Sequence, residues 1–249
     1  MFFILFFPGL QVKNITVLGN EKINTQELQS IVLSNSNTSL VEFWNFKIIS
    51  KSILLVNTNN ISKEILKKFP AIEKIKLDKN FPQTLELRIT ERKPIGIYCT
   101  NNNQCFLIDQ NGIIFSALGG PASGWEGQEN LTIVRQRFEN NDVYIGESVV
   151  SRNTIDAFNK IQKDIKDNLQ INLKEALITS PIRINIITKE NWQIYFDLSP
   201  DSDINLQITK LNLLLDKKNN SINRDKLRYI NLIPKDRAII CDNSVCGGQ

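Results

Sequence analysis

Phe69-Pro70-Ala71-Ile72-Glu73-Lys74-Ile75-Lys76-Leu77-Asp78-Lys79-Asn80-Phe81-Pro82-Gln83-Thr84-Leu85-Glu86-Leu87-Arg88-Ile89-Thr90-Glu91-Arg92-Lys93-Pro94-Ile95 is the stretch that decides the fold. Its second half alternates. Leu85, Leu87 and Ile89 point to one face, and Thr84, Glu86, Arg88 and Thr90 to the other, the period of a half-buried strand. Ile75 and Leu77 do the same against Lys74, Lys76 and Asp78. Lys79 to Gln83 joins the two runs, and Pro82 cannot continue a ladder. The pattern predicts a β-hairpin. A helix ends just before it, because Pro70 disfavours helical geometry at Phe69.

Upstream, Gln11 to Leu18 reads as a strand with Ile15 and Val17 inward, closed by Gly19-Asn20. A helix follows. Asn24 caps it, Glu27 stands three residues on, and Leu28, Ile31 and Val32 form its apolar face. Residues 34–59 fit a strand, a buried loop or a partial helix equally well. A second helix covers 61–69 through Ile61, Ile65, Leu66 and Phe69. Strand, helix, helix, strand, strand predicts a compact α+β module with two helices on a three-stranded sheet.

Downstream, Pro94 breaks one strand and Ile95, Ile97 and Cys99 begin another. Asn101 to Asn103 turns, Cys105 to Asp109 returns, and Gln110-Asn111-Gly112 carries a hairpin signature before Ile113 to Ser116. Asp109 reads as a turn aspartate rather than an acid or metal ligand. Residues 117–130 are glycine-rich, but without Gly-x-x-x-x-Gly-Lys-Ser/Thr they form a loop, not a phosphate cradle. Leu131, Ile133 and Arg135 make a short strand. A helix spans 151–168, with Ile155, Phe158, Ile161 and Ile165 facing the core. Strands follow at Ile182 to Ile186 and Trp192 to Leu198, with Tyr195 on the other face. Ile204, Ile208, Leu211 and Leu215 mark a further helix. Leu227 to Leu232 and Arg237 to Cys241 are the closing strands, and the last residues look frayed.

The 249 residues are 41% hydrophobic and 22% charged, so a folded core is expected. A net charge of +4, with scattered basic residues, argues against nucleic acid as a partner. Histidine is absent, which removes the commonest general base and metal ligand. No catalytic, cofactor or metal residue is assigned, and no small-molecule substrate is expected. The four cysteines form two close pairs, Cys99 with Cys105 and Cys241 with Cys246. Neither has Cys-x-x-Cys spacing, which leaves local disulfides of an oxidising compartment or four free thiols. The compartment argument favours the disulfides. Phe2 to Phe7 is too short for a membrane span. It reads as the outer end of one whose beginning is missing, or as a short apolar strand or buried terminus.

Several of these stretches resemble the FtsQ/DivIB family of bacterial cell-division proteins. The matching features are Phe69-Pro70-x-Ile72, Phe81-Pro82-x-Thr84-Leu85 and Glu91-Arg92-Lys93-Pro94. Ile15-Thr16-Val17-Leu18-Gly19-Asn20 is similar to the opening strand of that family's POTRA domain. Phe106-Leu107-Ile108-Asp109-x-x-Gly112-Ile113-Ile114-Phe115 is similar to its first β-domain hairpin, and Tyr229-Ile230-Asn231-Leu232 to its closing strand. The resemblance implies an α+β chain in four parts. Residues 1–10 end a transmembrane segment, 11–92 are a POTRA domain, 93–241 a β-rich domain with two helices, and 242–249 a flexible tail.

It further implies a non-catalytic scaffold of the divisome. Such a protein spans the cytoplasmic membrane once, has its bulk outside that membrane, and acts at the division septum. It couples FtsB- and FtsL-like coiled-coil partners to the septal peptidoglycan synthase. In the family the late strands accept the FtsB partner as an added strand. Carried to this chain, that implies Arg228, Tyr229, Ile230, Asn231 and Leu232, with Arg237 on the last strand. Asn231 departs from the usual aspartate, and the cysteine pairs are not a family feature. The competing reading is a POTRA protein of outer-membrane assembly or secretion, which calls for POTRA tandems and a run of barrel strands.

Overall fold

The computed structural model describes residues 6–43, 46–118, 127–128, 130–138, 142–216, 222–243 and 246, with only the backbone described across 38–48. Most of the Phe-rich start and of the glycine-rich 117–130 segment therefore lies outside the described residues. The chain divides into two compact units, Met1–Arg92 and Lys93–Gln249.

In the first unit, β1 (Asn14–Leu18), β4 (Ile72–Asn80) and β5 (Thr84–Glu91) form a sheet in the order β1-β5-β4. β5 runs parallel to β1 and antiparallel to β4. The period-2 reading holds: Leu85, Leu87 and Ile89 are buried while Arg88 and Thr90 are exposed. Opposite them, Leu77 pairs with Leu87 and is buried. Two helices supply the rest of the core, α1 (Thr25–Asn35) through Leu28 and Val32, and α2 (Thr58–Lys68) through Ile61 and Ile65. Asn24 caps α1 by accepting the Gln26 N–H, and Asn57 caps α2 by accepting that of Asn60. Residues 34–59, ambiguous in sequence, contain a separate hairpin of β2 (Thr38–Phe43) and β3 (Phe46–Ser50).

The local motif words have a structural account. The Arg92 side chain donates Nε–H to the Pro70 carbonyl at 2.9 Å, and its backbone N–H donates to Ala71 at 2.8 Å. The Phe69-Pro70 turn is thereby tied to the end of the hairpin. Glu91 reaches the other way. Its Oε1 accepts the N–H groups of Glu21, Lys22 and Ile23 at 2.8, 2.9 and 3.0 Å, fixing the turn that feeds α1.

Among the described residues, the second unit is one nine-stranded sheet with two α-helices. Its strands are β6 (Pro94–Cys99), β7 (Cys105–Asp109), β8 (Ile114–Leu118), β9 (Thr132–Gln136), β10 (Leu173–Ser180), β11 (Arg183–Thr188), β12 (Gln193–Asp197), β13 (Leu227–Asn231) and β14 (Ile239–Asp242). Their order is β14-β13-β12-β11-β10-β9-β6-β7-β8. α3 (Arg152–Asp167) carries the chain from β9 to its parallel neighbour β10. α4 (Ile204–Leu215) does so from β12 to β13, again parallel. A parallel pair cannot be closed by a tight turn, and the helices are those long connections.

Ile155, Phe158, Ile161 and Ile165 of α3 and Ile208, Leu211 and Leu215 of α4 share one core with Trp192, Ile194, Phe196 and Ile230. The buried Gln207 brackets the backbone of Asp197, accepting its N–H at 2.9 Å and donating to its carbonyl at 2.8 Å, which fixes α4 against the end of β12. Asp109 acts as a turn residue, its Oδ1 accepting the N–H groups of Asn111 and Ile113.

The structure adds two features and corrects one. β10 was not foreseen as a strand. In β9 the buried face is Thr132, Val134 and Gln136. The closing strand begins at Ile239, so Arg237 lies in the exposed loop before it. At the tail, β14 runs through Asp242, and Asn243 and Cys246 hold backbone hydrogen bonds to Lys226 and Asp242. Among the described residues no helix is long and apolar enough to cross a membrane.

Candidate docking edge

β13 and β14 form the end of the nine-stranded sheet. β13 is flanked on both sides, parallel to β12 and antiparallel to β14. Its ladder positions are taken, so it cannot itself receive a further strand. Among the described residues β14 has a strand neighbour on one side only and is the sheet's edge. The expected residues thus sit one strand inward of the edge, and the edge is Ile239–Asp242. Sequence reasoning missed this because two isoleucines in a four-residue strand carry almost no periodic signal.

A register shift between Leu227 and Tyr229 explains where the side chains point. The bulge inserts one residue, so Leu227 and Ile230 are both buried while Arg228 is exposed and Tyr229 half-buried. Ile230 is fully buried and Leu232 nearly so, and the Leu232 N–H donates to the Tyr195 carbonyl at 3.0 Å. These two lie in the core of the unit. Asn231 Oδ1 accepts the Ile233 N–H at 3.0 Å, turning the chain out of β13. An aspartate would accept the same bond, so the asparagine keeps the turn without the charge.

Tyr229 is the expected residue that the structure brings into a cluster. Gln193 is paired with Tyr229, and Tyr195 with Asn231, so the two tyrosines are diagonal neighbours on one face. Their rings stack with centroids 5.3 Å apart and planes inclined by 24°. The Arg183 guanidinium lies 5.0 Å from the Tyr195 centroid, and its Nε–H donates to Asn185 Oδ1 at 3.2 Å. The period-2 reading had put Tyr195 on the outer face, but only the β12–β13 register shows that it meets Tyr229. Ile239, 42% exposed, is paired with Asn231 and borders this patch.

Both cysteine pairs are closed as disulfides. Cys99 and Cys105 are cross-strand partners of β6 and β7, with Cα atoms 4.2 Å apart. Cys241 of β14 joins Cys246, Cα atoms 5.7 Å apart. Arg228 Nη1 donates to the Cys246 carbonyl at 3.1 Å, so the exposed arginine holds the disulfide loop. A recess beside the edge is lined by Gln193, Tyr195, Arg228, Tyr229, Cys241 and Cys246. Among the described residues no group of metal-ligand type is present. The arrangement offers a strand edge, an aromatic patch and a braced loop.

Comparison with known proteins bears on the first unit directly. Residues 47–92 match the family model described as POTRA domain, FtsQ-type. The chain is 29% identical over 104 residues to Cell division protein FtsQ of Rickettsia typhi, and 30% identical over 104 residues to that of Rickettsia prowazekii. Each alignment covers 42% of this chain, and it spans about a third of the length of the relatives, 34% and 33%. Residues 47–92, which carry α2, β4 and β5, thus match a POTRA domain of FtsQ type. Over 104 residues the chain is similar to cell-division proteins of the FtsQ kind.

Proposed function

We propose that this chain is a non-catalytic scaffold of bacterial cell division. It docks FtsB/FtsL-like coiled-coil proteins and couples them to septal peptidoglycan synthesis. The FtsQ-type POTRA match supports the division role and favours it over outer-membrane assembly or secretion. The docking half rests on one observation: among the described residues β14 has a strand neighbour on one side only, with the Tyr195–Tyr229 stack beside it. An extended partner segment would add a tenth strand there, with main-chain bonds giving affinity and the tyrosines reading alternate side chains. Two disulfides support a location outside the cytoplasmic membrane, at the septum.

A binding titration of the chain with the ectodomain of the same organism's FtsB-like protein tests this reading. Tyr229→Ala and Ile239→Lys should each weaken binding by about tenfold or more, the scale of 1.4 kcal/mol or above. Undiminished binding by both folded variants would refute this edge as the site.

A further inference from the structure

The two disulfides differ in exposure. Cys99, Cys105 and Cys241 are each 1% exposed, whereas Cys246 is half-buried. Thiol–disulfide exchange needs a thiolate to reach one sulfur in line with the bond. Of the four cysteines only Cys246 is not fully buried, so exchange in the folded protein is directed there rather than to the Cys99–Cys105 pair. Arg228 adds a fixed cation. It is held at this loop by its bond to the Cys246 carbonyl, and it lines the same recess as both sulfur-bearing residues. A positive charge there favours the thiolate that must leave.

From this we propose that Cys246 Sγ is the exchange site for a protein dithiol, and that reducing this pair loosens the β14 edge. One thiolate of the dithiol attacks Cys246 Sγ. The Cys241–Cys246 bond breaks, and Cys241 departs as a thiolate that takes up a proton. The second thiol of the dithiol then displaces Cys246 from the mixed disulfide. Two electrons pass to the chain, which is left with two thiols, and the dithiol becomes a disulfide. The consequence follows from position. Cys241 lies within β14, and Cys246 accepts a bond from Arg228 and donates its N–H to the Asp242 carbonyl at the end of that strand. Without the cross-link, the end of the strand proposed to receive the partner is held by hydrogen bonds alone. The effect on docking rests on the reading given under Proposed function, whereas the exchange site does not.

The test is a dithiothreitol titration of the folded chain, with alkylation mapped by mass spectrometry and amide exchange followed in parallel. Cys241 and Cys246 should be alkylated at reductant concentrations that leave Cys99 and Cys105 bonded. Amide exchange over 239–243 should then quicken by about tenfold, with 105–109 unchanged. Cys246→Ser should reproduce that exchange without reductant. The proposal is overturned if Cys99–Cys105 opens first or together with the other pair, or if β14 exchange is indifferent to reduction. Added FtsB-like ectodomain should bind the reduced form about tenfold more weakly. Equal binding of both forms overturns the effect on docking, and the alkylation order and β14 exchange still decide the exchange site. If neither form binds, the docking reading fails, while alkylation and exchange still decide on the exchange site.

Discussion

Glu91 shows what a single position contributes to the POTRA unit. Burial alone would raise its pKa. The N–H bonds from Ile23, Lys22 and Glu21, helped by the Lys22 charge, outweigh that, and the carboxyl titrates below the ordinary glutamate value. A folded-state pKa below the unfolded one stabilises the fold above the unfolded value, and that stability is lost as pH falls through the folded value. Glu91→Gln should therefore weaken the unit at neutral pH by about 1 kcal/mol, because solvent around this partly exposed group screens the charge-assisted bonds. The gap from wild type, measured by urea unfolding, should close as the pH is lowered through that range. A gap independent of pH would contradict the carboxylate's role. Gly19 is a second sensitive position. Its φ is +83°, and a Cβ there would collide with the Ile89 carbonyl oxygen. Gly19→Ala should cost about 2 kcal/mol or more, read as a lowered urea midpoint.

At the scale of elements, the β13 residues fall into two kinds. Ile230→Glu buries a charge in the main core and should unfold the second unit, a loss above about 4 kcal/mol visible as a collapsed thermal transition. Tyr229→Ala should leave that transition in place, because the ring lies on the outer face. The same contrast explains what could be read in the sequence. The hairpin β4–β5 was legible because one face is buried and the other wet, so Leu85, Leu87 and Ile89 alternate with charged and polar residues. α3 and α4 were legible through their helical periodicity.

β10 was not, because Leu173-Lys174-Glu175-Ala176-Leu177-Ile178 is rich in good helix formers and turns inward partly through a small alanine. β9 sits between two parallel neighbours, where Ile133 and Arg135 are half-buried rather than exposed, so its phase was ambiguous. The cysteine pairs were visible as spacing, but the exposure of Cys246 was not. Nor was the Tyr195–Tyr229 stack, which depends on the crossover through α4 that makes distant strands neighbours.

At the scale of the whole molecule, the order β14-β13-β12-β11-β10-β9-β6-β7-β8 leaves two ends. At the β8 end, Ile114 donates its N–H to the Glu147 carbonyl and accepts from Gly146, so the start of that edge is covered. Among the described residues β14 has no such cover. We propose above that a partner joins the sheet at β14. The most direct measurement is amide hydrogen exchange of the full chain with and without the FtsB-like ectodomain. Protection should concentrate over 239–243, with little change in β13, whose amides already lie inside the sheet. Saturating binding that leaves β14 unprotected and protects only the POTRA unit would contradict it.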